Sequence, residues 1–190
     1  AAMTVVQRIM QFAASAMIGY GQGFQPVCGF NYGAGRYDRV REGFRFCVAI
    51  TAIFLTLMSV AFFIFSSPVL SFMQRSSEDG AGREAVNIAV KILRRQLISL
   101  PLMSFVVMSN MMLQTTGNVV GASVLAMARQ GLTMIPVMYL FSCTLGLNGL
   151  VWAQPLADAL AFVISVPFVA ALFKKMRLKE RRQTLETATE

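Results

Sequence analysis

No histidine occurs anywhere in the 190 residues. That removes histidine metal sites, histidine acid–base catalysis and every Ser-His-Asp or Cys-His arrangement. Cysteine is scarce: Cys28, Cys47 and Cys143 make an odd number, each in or beside an apolar run, which argues against a disulfide framework and for small packing residues. Charge is thin and lopsided, with 14% charged residues and nine acids against seventeen bases. The net charge of +8 does not point to nucleic acid, because the bases are confined to short segments between long apolar runs, as in membrane loops. A basic-flanked leader with a small-residue cleavage site is also missing. With no catalytic constellation, metal-ligand cluster or cofactor motif in view, the chain reads as neither an enzyme nor a metalloprotein.

What the chain has is apolar length. Its residues are 56% hydrophobic and its mean hydropathy is +0.60, above the roughly 45–50% apolar content of a soluble domain. A bilayer core about 30 Å thick needs about 20 mostly apolar residues in a helix. Candidate spans lie near residues 3–31, 43–72, 86–115, 121–145 and 150–174, an all-α polytopic bundle. The second is the clearest, since residues 46–65 carry no charge. Residues 35–42 and 74–84 connect the first three spans. Thr115-Thr116-Gly117-Asn118 and Leu145-Gly146-Leu147-Asn148-Gly149 supply the remaining turns, with Gly and Asn where a helix must stop. Residues 174–190 are a charged tail extending the last helix.

Cations orient this bundle. Arg36, Arg39, Arg41 and Arg45 lie on the same side as Lys174, Lys175, Arg177, Lys179, Arg181 and Arg182. On the other side Arg75, Arg83, Lys91, Arg94 and Arg95 are diluted by Glu78, Asp79 and Glu84. The positive-inside rule then makes the tail cytoplasmic. Five spans place the amino terminus outside, directly at a span, so further helices are expected to precede this chain in a longer protein.

The least ordinary stretch is GYGQGFQPVCGFNYGAGR, Gly19 to Arg36. As a potassium-channel filter, Gly19-Tyr20-Gly21 lacks the Thr-Val lead-in and a pore helix. As a nucleotide loop, Gly21-Gln22-Gly23-Phe24-Gln25-Pro26 puts proline at the third glycine, with no strand before it. A helix accounts for more. Gly19 with Gly23, and Gly29 with Gly33, are four apart and make flat patches for close helix contact. Gln11, Ser15, Gln22, Gln25 and Gly29 form one polar stripe, costly against lipid and suited to a bundle interior or watery cavity. Pro26 deletes a backbone hydrogen bond and marks a possible pivot. Tight packing alone and packing combined with cavity lining both remain open.

The later spans carry similar marks. Ser99, Asn110 and Gln114 lie near one face of the third, which Pro101 interrupts. In the fourth, Arg129, Thr133 and Pro136 share a face, where Arg129 either reaches a cavity or snorkels to the boundary. In the fifth, Gln154 and Asp158 are one turn apart, and Asp158 is the only acid well inside a span. A proton or cation role for it and a structural hydrogen bond both remain open. Met103 belongs to a methionine-rich set with Met108, Met111, Met112, Met127, Met134 and Met138, which suits either an adaptable apolar surface or gap filling. The cavity-lining candidates are thus Gln22, Gln25, Asn31, Met103, Asn110, Gln114 and Gln154.

Taken in order, these residues resemble a known family. Gln25-Pro26-Val27-Cys28-Gly29-Phe30-Asn31-Tyr32-Gly33-Ala34, followed by Arg39-Val40, resembles the Q-P-x-x-G-[YF]-N-Y-G-A signature, with its trailing R-V, of MATE (multidrug and toxic compound extrusion) transporters. Leu113-Gln114-Thr115-Thr116-Gly117, Ala128-Arg129-Gln130-Gly131 and Leu145-Gly146-Leu147-Asn148-Gly149-Leu150-Val151-Trp152 extend the resemblance through nearly the whole chain. The N-Y-G-A form is similar to the DinF/MepA-type branch. The resemblance implies a two-lobe fold of twelve helices, of which this chain supplies the carboxy-terminal part. It implies exchange of cationic or amphipathic drugs against Na⁺ or H⁺ across a bacterial inner or plasma membrane, with no other cofactor. The implied partners are small-molecule drugs or toxic organic cations, the bilayer and the missing amino-terminal lobe, without nucleic acid. In the NorM-type branch an acid on the helix matching residues 86–115 binds the cation; no acid occurs there after Glu84, which moves the coupling acid towards the missing lobe. The rival readings are a lipid-linked precursor flippase, which needs a cationic cavity that only Arg129 would furnish here, and a non-transporting membrane scaffold.

Overall fold

The computed structural model describes residues 2–73, 80–128, 131 and 133–189, with side-chain surroundings for 6–66, 89–128, 131, 133–139 and 152–186. Its elements are all helical: α1 (Ala2–Gly33), α2 (Tyr37–Met73), α3 (Gly80–Thr115), α4 (Val119–Met127) and α5 (Met134–Thr189). The stretch from Gly19 to Gly33 continues α1 without a break. Glycine costs helix stability in water, but without water a broken backbone hydrogen bond costs more, so the helix persists.

Both α1 and α3 end the same way. Arg36 N–H donates to Asn31 O at 2.9 Å and Gly35 N–H to Tyr32 O at 3.2 Å. Asn118 N–H likewise donates to Leu113 O at 3.0 Å and Gly117 N–H to Gln114 O at 3.2 Å. These bonds satisfy the last carbonyls of each helix and require the left-handed backbone that Gly35 (φ +71°) and Gly117 (φ +76°) adopt. Asn118 then caps α4, its side-chain oxygen accepting from Gly121 N–H at 3.2 Å. Gly35→Ala adds left-handed strain and places a methyl 2.7 Å from Gln183 Nε2. The expected cost is about 1–2 kcal/mol, read as a lower unfolding temperature of the full-length protein. Gly117→Asn, with open space at the site and a residue tolerant of that conformation, should leave it nearly unchanged.

The central helix is α3, packed against α1, α2, α4 and α5. It is 61% buried across its most apolar window, against 11% for α2. The buried positions repeat every three or four residues: Val6, Ile9, Ala13, Met17, Phe24 and Cys28 on α1, and Val40, Phe44, Cys47, Thr51 and Leu55 on α2. Phe44 sits edge-on to Phe105 and Phe173, at 5.8 and 5.6 Å between centroids, tying α2, α3 and α5 together. Ser59 Oγ adds a hydrogen bond from α2 to Leu97 O at 2.6 Å. The other face of α2 exposes Phe46, Ile53, Leu57, Phe63, Ile64 and Phe65, an apolar belt matched to lipid.

Among the described residues, Tyr37–Ser66, Ala89–Thr115 and Trp152–Glu186 are long and apolar enough to cross a bilayer, the signature of a multi-pass membrane protein. Although α1 has the length, at 32 residues, its glutamines and glycines keep it from joining those three. It can cross only where its polar side meets protein or water.

The backbone departs from expectation in two places. Where a fourth span was expected over residues 121–145, α4 ends at Met127 and α5 begins at Met134, and Thr133 N–H donates to Ala128 O at 3.2 Å, an i to i+5 bond. Thr133 Oγ donates to the same carbonyl at 2.5 Å, which holds the distortion in place. Where a turn was expected at Leu145-Gly146-Leu147-Asn148-Gly149, helical backbone continues. The segment holds no proline, and the propensity cost of its glycines and asparagine, about 1 kcal/mol each at most, is less than that of orphaned backbone groups in an apolar setting.

Candidate functional site

Two polar regions adjoin on α1, α3 and α5. The first is an open row of amides. Gln25 Nε2 donates to Gln114 Oε1 at 3.4 Å, and Gln114 Nε2 donates to Asn110 Oδ1 at 3.3 Å. Both bonds are long, so these amides stay available to a competing polar group. Gln114 is exposed, and Gln25 and Asn110 are half-buried. Further along α1, Gln11, Ser15, Gly19 and Gln22 are exposed on the side opposite the buried stripe. The neighbouring side of α1 exposes Phe12, Tyr20, Val27 and Phe30. Thus α1 has three kinds of surface: one packed, one apolar and exposed, and one polar and exposed.

The second region is a cavity of about 150 Å³ between α1, α3 and α5. Gln7 and Gln11 line it from α1, Gln96, Ser99 and Met103 from α3, and Gln154 and Asp158 from α5. Asp158 is 3% exposed. Ser99 Oγ donates to its Oδ2 at 2.8 Å, and Gln154 Nε2 to its Oδ1 at 3.4 Å. Gln96 is 4% exposed, and its Oε1 is buried without a hydrogen-bond partner among the described residues. A carboxylate and an unmatched carbonyl oxygen thus face one small space. A carboxylate with such an oxygen beside it suits a hard cation or a proton.

This geometry can be set beside known proteins. A family model described as MatE matches residues 1–140. The chain belongs to the MatE family. Among curated relatives it is 26% identical over 170 residues to the multidrug export protein MepA of Staphylococcus haemolyticus, covering 89% of this chain and 36% of that protein. It is 28% identical over 166 residues to MepA of Staphylococcus aureus (strain NCTC 8325 / PS 47), covering 87% of this chain and 35% of that protein. The chain therefore spans about a third of the length of these relatives. Among solved structures, a ligand complex of the MATE multidrug transporter DinF-BH matches with a TM-score of 0.70 and 28% identity, covering 89% of this chain and 36% of that one. A MATE crystal structure in complex with MaL6 matches with a TM-score of 0.84 at 17% identity, covering 93% of this chain and 39% of that one, and shows the fold alone.

Within this MatE chain the structure brings together Gln25, Asn110 and Gln114 at the open row, and Met103, Gln154 and Asp158 at the cavity. Gln22 stands exposed on α1 near the row. Asn31 does not join them: its Nδ2 donates to Val27 O at 2.8 Å, one turn back on its own helix. Arg36 and Arg39 are exposed at the α1–α2 turn, while Arg129 lies outside the described residues. An added Cβ at Gly19, Gly23 or Gly33 would meet nothing within 4 Å among the described residues. The close approach is at Gly21, where a Cβ would run into Met111 Sδ, and at Gly29, where it would lie 3.1 Å from Thr115 Cγ2. The α1 surface bearing Gly19, Gly23 and Gly33 turns away from α3. Pro136 sits in the first turn of α5, where a missing N–H is least costly. Pro26 and Pro101 do lie inside their helices.

Gln7 and Gln96 went unnoticed as site residues. Their signal was available in spacing: Gln7 and Gln11 are four apart, and Gln96, Ser99 and Met103 follow a three-four step.

Proposed function

We propose that this chain forms the carboxy-terminal part of a multidrug exporter that exchanges cationic or amphipathic compounds for Na⁺ or H⁺ by alternating access. The observation that carries the reading is the exposed polar face of α1 continuing into the Gln25–Gln114–Asn110 row. Such a face is costly against lipid and makes sense against a water-filled passage completed by preceding helices. Similarity to the MepA exporters and to the DinF-BH multidrug transporter supports the same reading. Weakly paired amides orient a polar substituent, while flexible Met103 and the exposed Phe12 and Tyr20 of α1 accept varied apolar bodies. The cavity at Asp158 would serve the coupling ion on this part of the protein, beside the acid expected in the missing lobe, and the arginines at the start of α2 and along the extension of α5 support a cytoplasmic carboxy terminus.

Cells expressing the full-length gene should accumulate several-fold less ethidium, and less of other aromatic dye cations, than cells without it. Gln114→Leu should raise accumulation for some of these compounds more than for others, because it alters orientation within a broad site. Equal accumulation with and without the gene, across imposed Na⁺ and pH gradients, would overturn the proposal.

A further inference from the structure

At the basic end of the bundle, away from the polar cavity, the extension of α5 folds against the α1–α2 turn. Arg41 is the fastener: its side chain is 13% exposed, and its Nη2 donates to Asp38 Oδ1 and, at 2.9 Å, to Glu180 Oε2. Nearby, Lys179 Nζ lies 5.3 Å from the Tyr32 ring centroid, and Gln183 approaches Gly35. Between these elements opens a depression of about 580 Å³ lined by Arg41, Arg177, Glu180, Arg181, Thr184 and Leu185. Among the described residues of that lining the one carboxylate, Glu180, is already engaged by Arg41. Arg177 and Arg181, one helical turn apart, are exposed, and Arg41 Nη1 is buried with no hydrogen-bond partner among the described residues. The depression therefore carries a positive excess with guanidinium donors, the groups best matched to a phosphate.

Its height in the bundle identifies the source of that phosphate. The apolar belt of α2 starts at Phe46, 61% exposed, little more than one turn from Arg41. Leu178 and Leu185, at 54% and 67% exposed, add apolar surface on the α5 side. A phosphate in the depression would have acyl chains alongside exposed hydrocarbon. We propose that the depression between the start of α2 and the extension of α5 binds the phosphate headgroup of an anionic phospholipid. An occupied site would strengthen the attachment of the α5 extension to the α1–α2 turn, adding to the bridge from Arg41 to Glu180.

The test uses the full-length protein purified in detergent and offered mixed micelles of phosphatidylglycerol or phosphatidylcholine, with bound lipid counted by native mass spectrometry. Phosphatidylglycerol should be retained preferentially. Arg177→Gln with Arg181→Gln should reduce its retention by roughly 30-fold, about fivefold for each cation near a membrane surface. Both positions are exposed, so the fold is not at risk, and unchanged unfolding temperature without lipid verifies this. Equal retention by the parent and the double variant overturns the proposal, as does no preference over phosphatidylcholine. Displacement by about 10 mM inorganic phosphate, at matched ionic strength, would also overturn it, by assigning the site to a free anion. The readout involves no drug or ion gradient, so it stands or falls independently of the export reading.

Discussion

Asp158→Asn should remove the ion dependence of drug export, lowering gradient-driven export by at least about tenfold while leaving the amount of folded full-length protein unchanged. The substitution is nearly isosteric. Asparagine still offers Oδ1 to Ser99, whose hydroxyl reaches Asp158 Oδ2 at 2.8 Å, so the contact between α3 and α5 survives. What disappears is the ionisable carboxyl group in a cavity of about 150 Å³. A charge buried among apolar helices is expensive to maintain and is retained where it has a counter-charge or a function. Export measured against Na⁺ at constant pH, and against pH without Na⁺, separates the two coupling ions. Gln96→Leu gives a second reading of the same site. It removes the unmatched Oε1, an oxygen that a bound Na⁺ would use and a proton on Asp158 would not require. Loss of Na⁺ dependence in both variants assigns a cation. Loss of pH dependence in Asp158→Asn, with Gln96→Leu unaffected, assigns a proton. Unaltered ion dependence in Asp158→Asn would reduce the residue to a structural hydrogen bond between helices.

Much of this site was legible in the sequence because helical periodicity in a membrane is unforgiving. Gln25, Asn110 and Gln114 were singled out by spacing and chemistry, and the structure joins them through weak hydrogen bonds. The helical nature of Gly19 to Gly33 was legible for the same reason: without solvent, glycine-rich backbone still has to bond to itself. The turns at Gly35 and Gly117 were legible because each supplies the positive φ that ends a helix. Less legible was which glycines meet a neighbour. Gly19 and Gly23 have the familiar four-residue spacing, yet the helix axis turns Gly21 towards α3 instead, and spacing cannot say which side of a helix meets which partner. Gln96, whose Oε1 has no partner among the described residues, was equally hidden, since its importance depends on α5 bringing Asp158 opposite it. At Leu145 to Gly149, composition pointed to a stop that the backbone does not make, because propensity is weak beside the demand for hydrogen bonds.

Gly21→Val should be the most destabilising glycine substitution in α1, costing about 2–3 kcal/mol through overpacking. The contact is specific. A Cβ at position 21 would collide with Met111 Sδ and come within 3.0 Å of Met111 Cε and 3.1 Å of Met108 Cε. Those atoms are the ends of flexible side chains, so one methyl can be absorbed by rotamer changes, and Gly21→Ala should cost about 1 kcal/mol or less. Two further branches cannot be absorbed, because Met108 is itself fully buried and α3 is clasped by helices on several sides. The displaced methionines would push α1 away from α3, lengthening the already weak Gln25–Gln114 bond of 3.4 Å. Hence Gly21→Val should lower the unfolding temperature of the full-length protein and also weaken drug export, with alanine intermediate in both. Gly19→Val gives the contrasting case, because its Cβ would meet nothing within 4 Å and it shares the polar face with Gln22. It should leave the contact between α1 and α3 intact and alter export through the passage alone. If valine at 19 destabilised the protein as much as valine at 21, the face proposed to line an open passage would instead be closely packed.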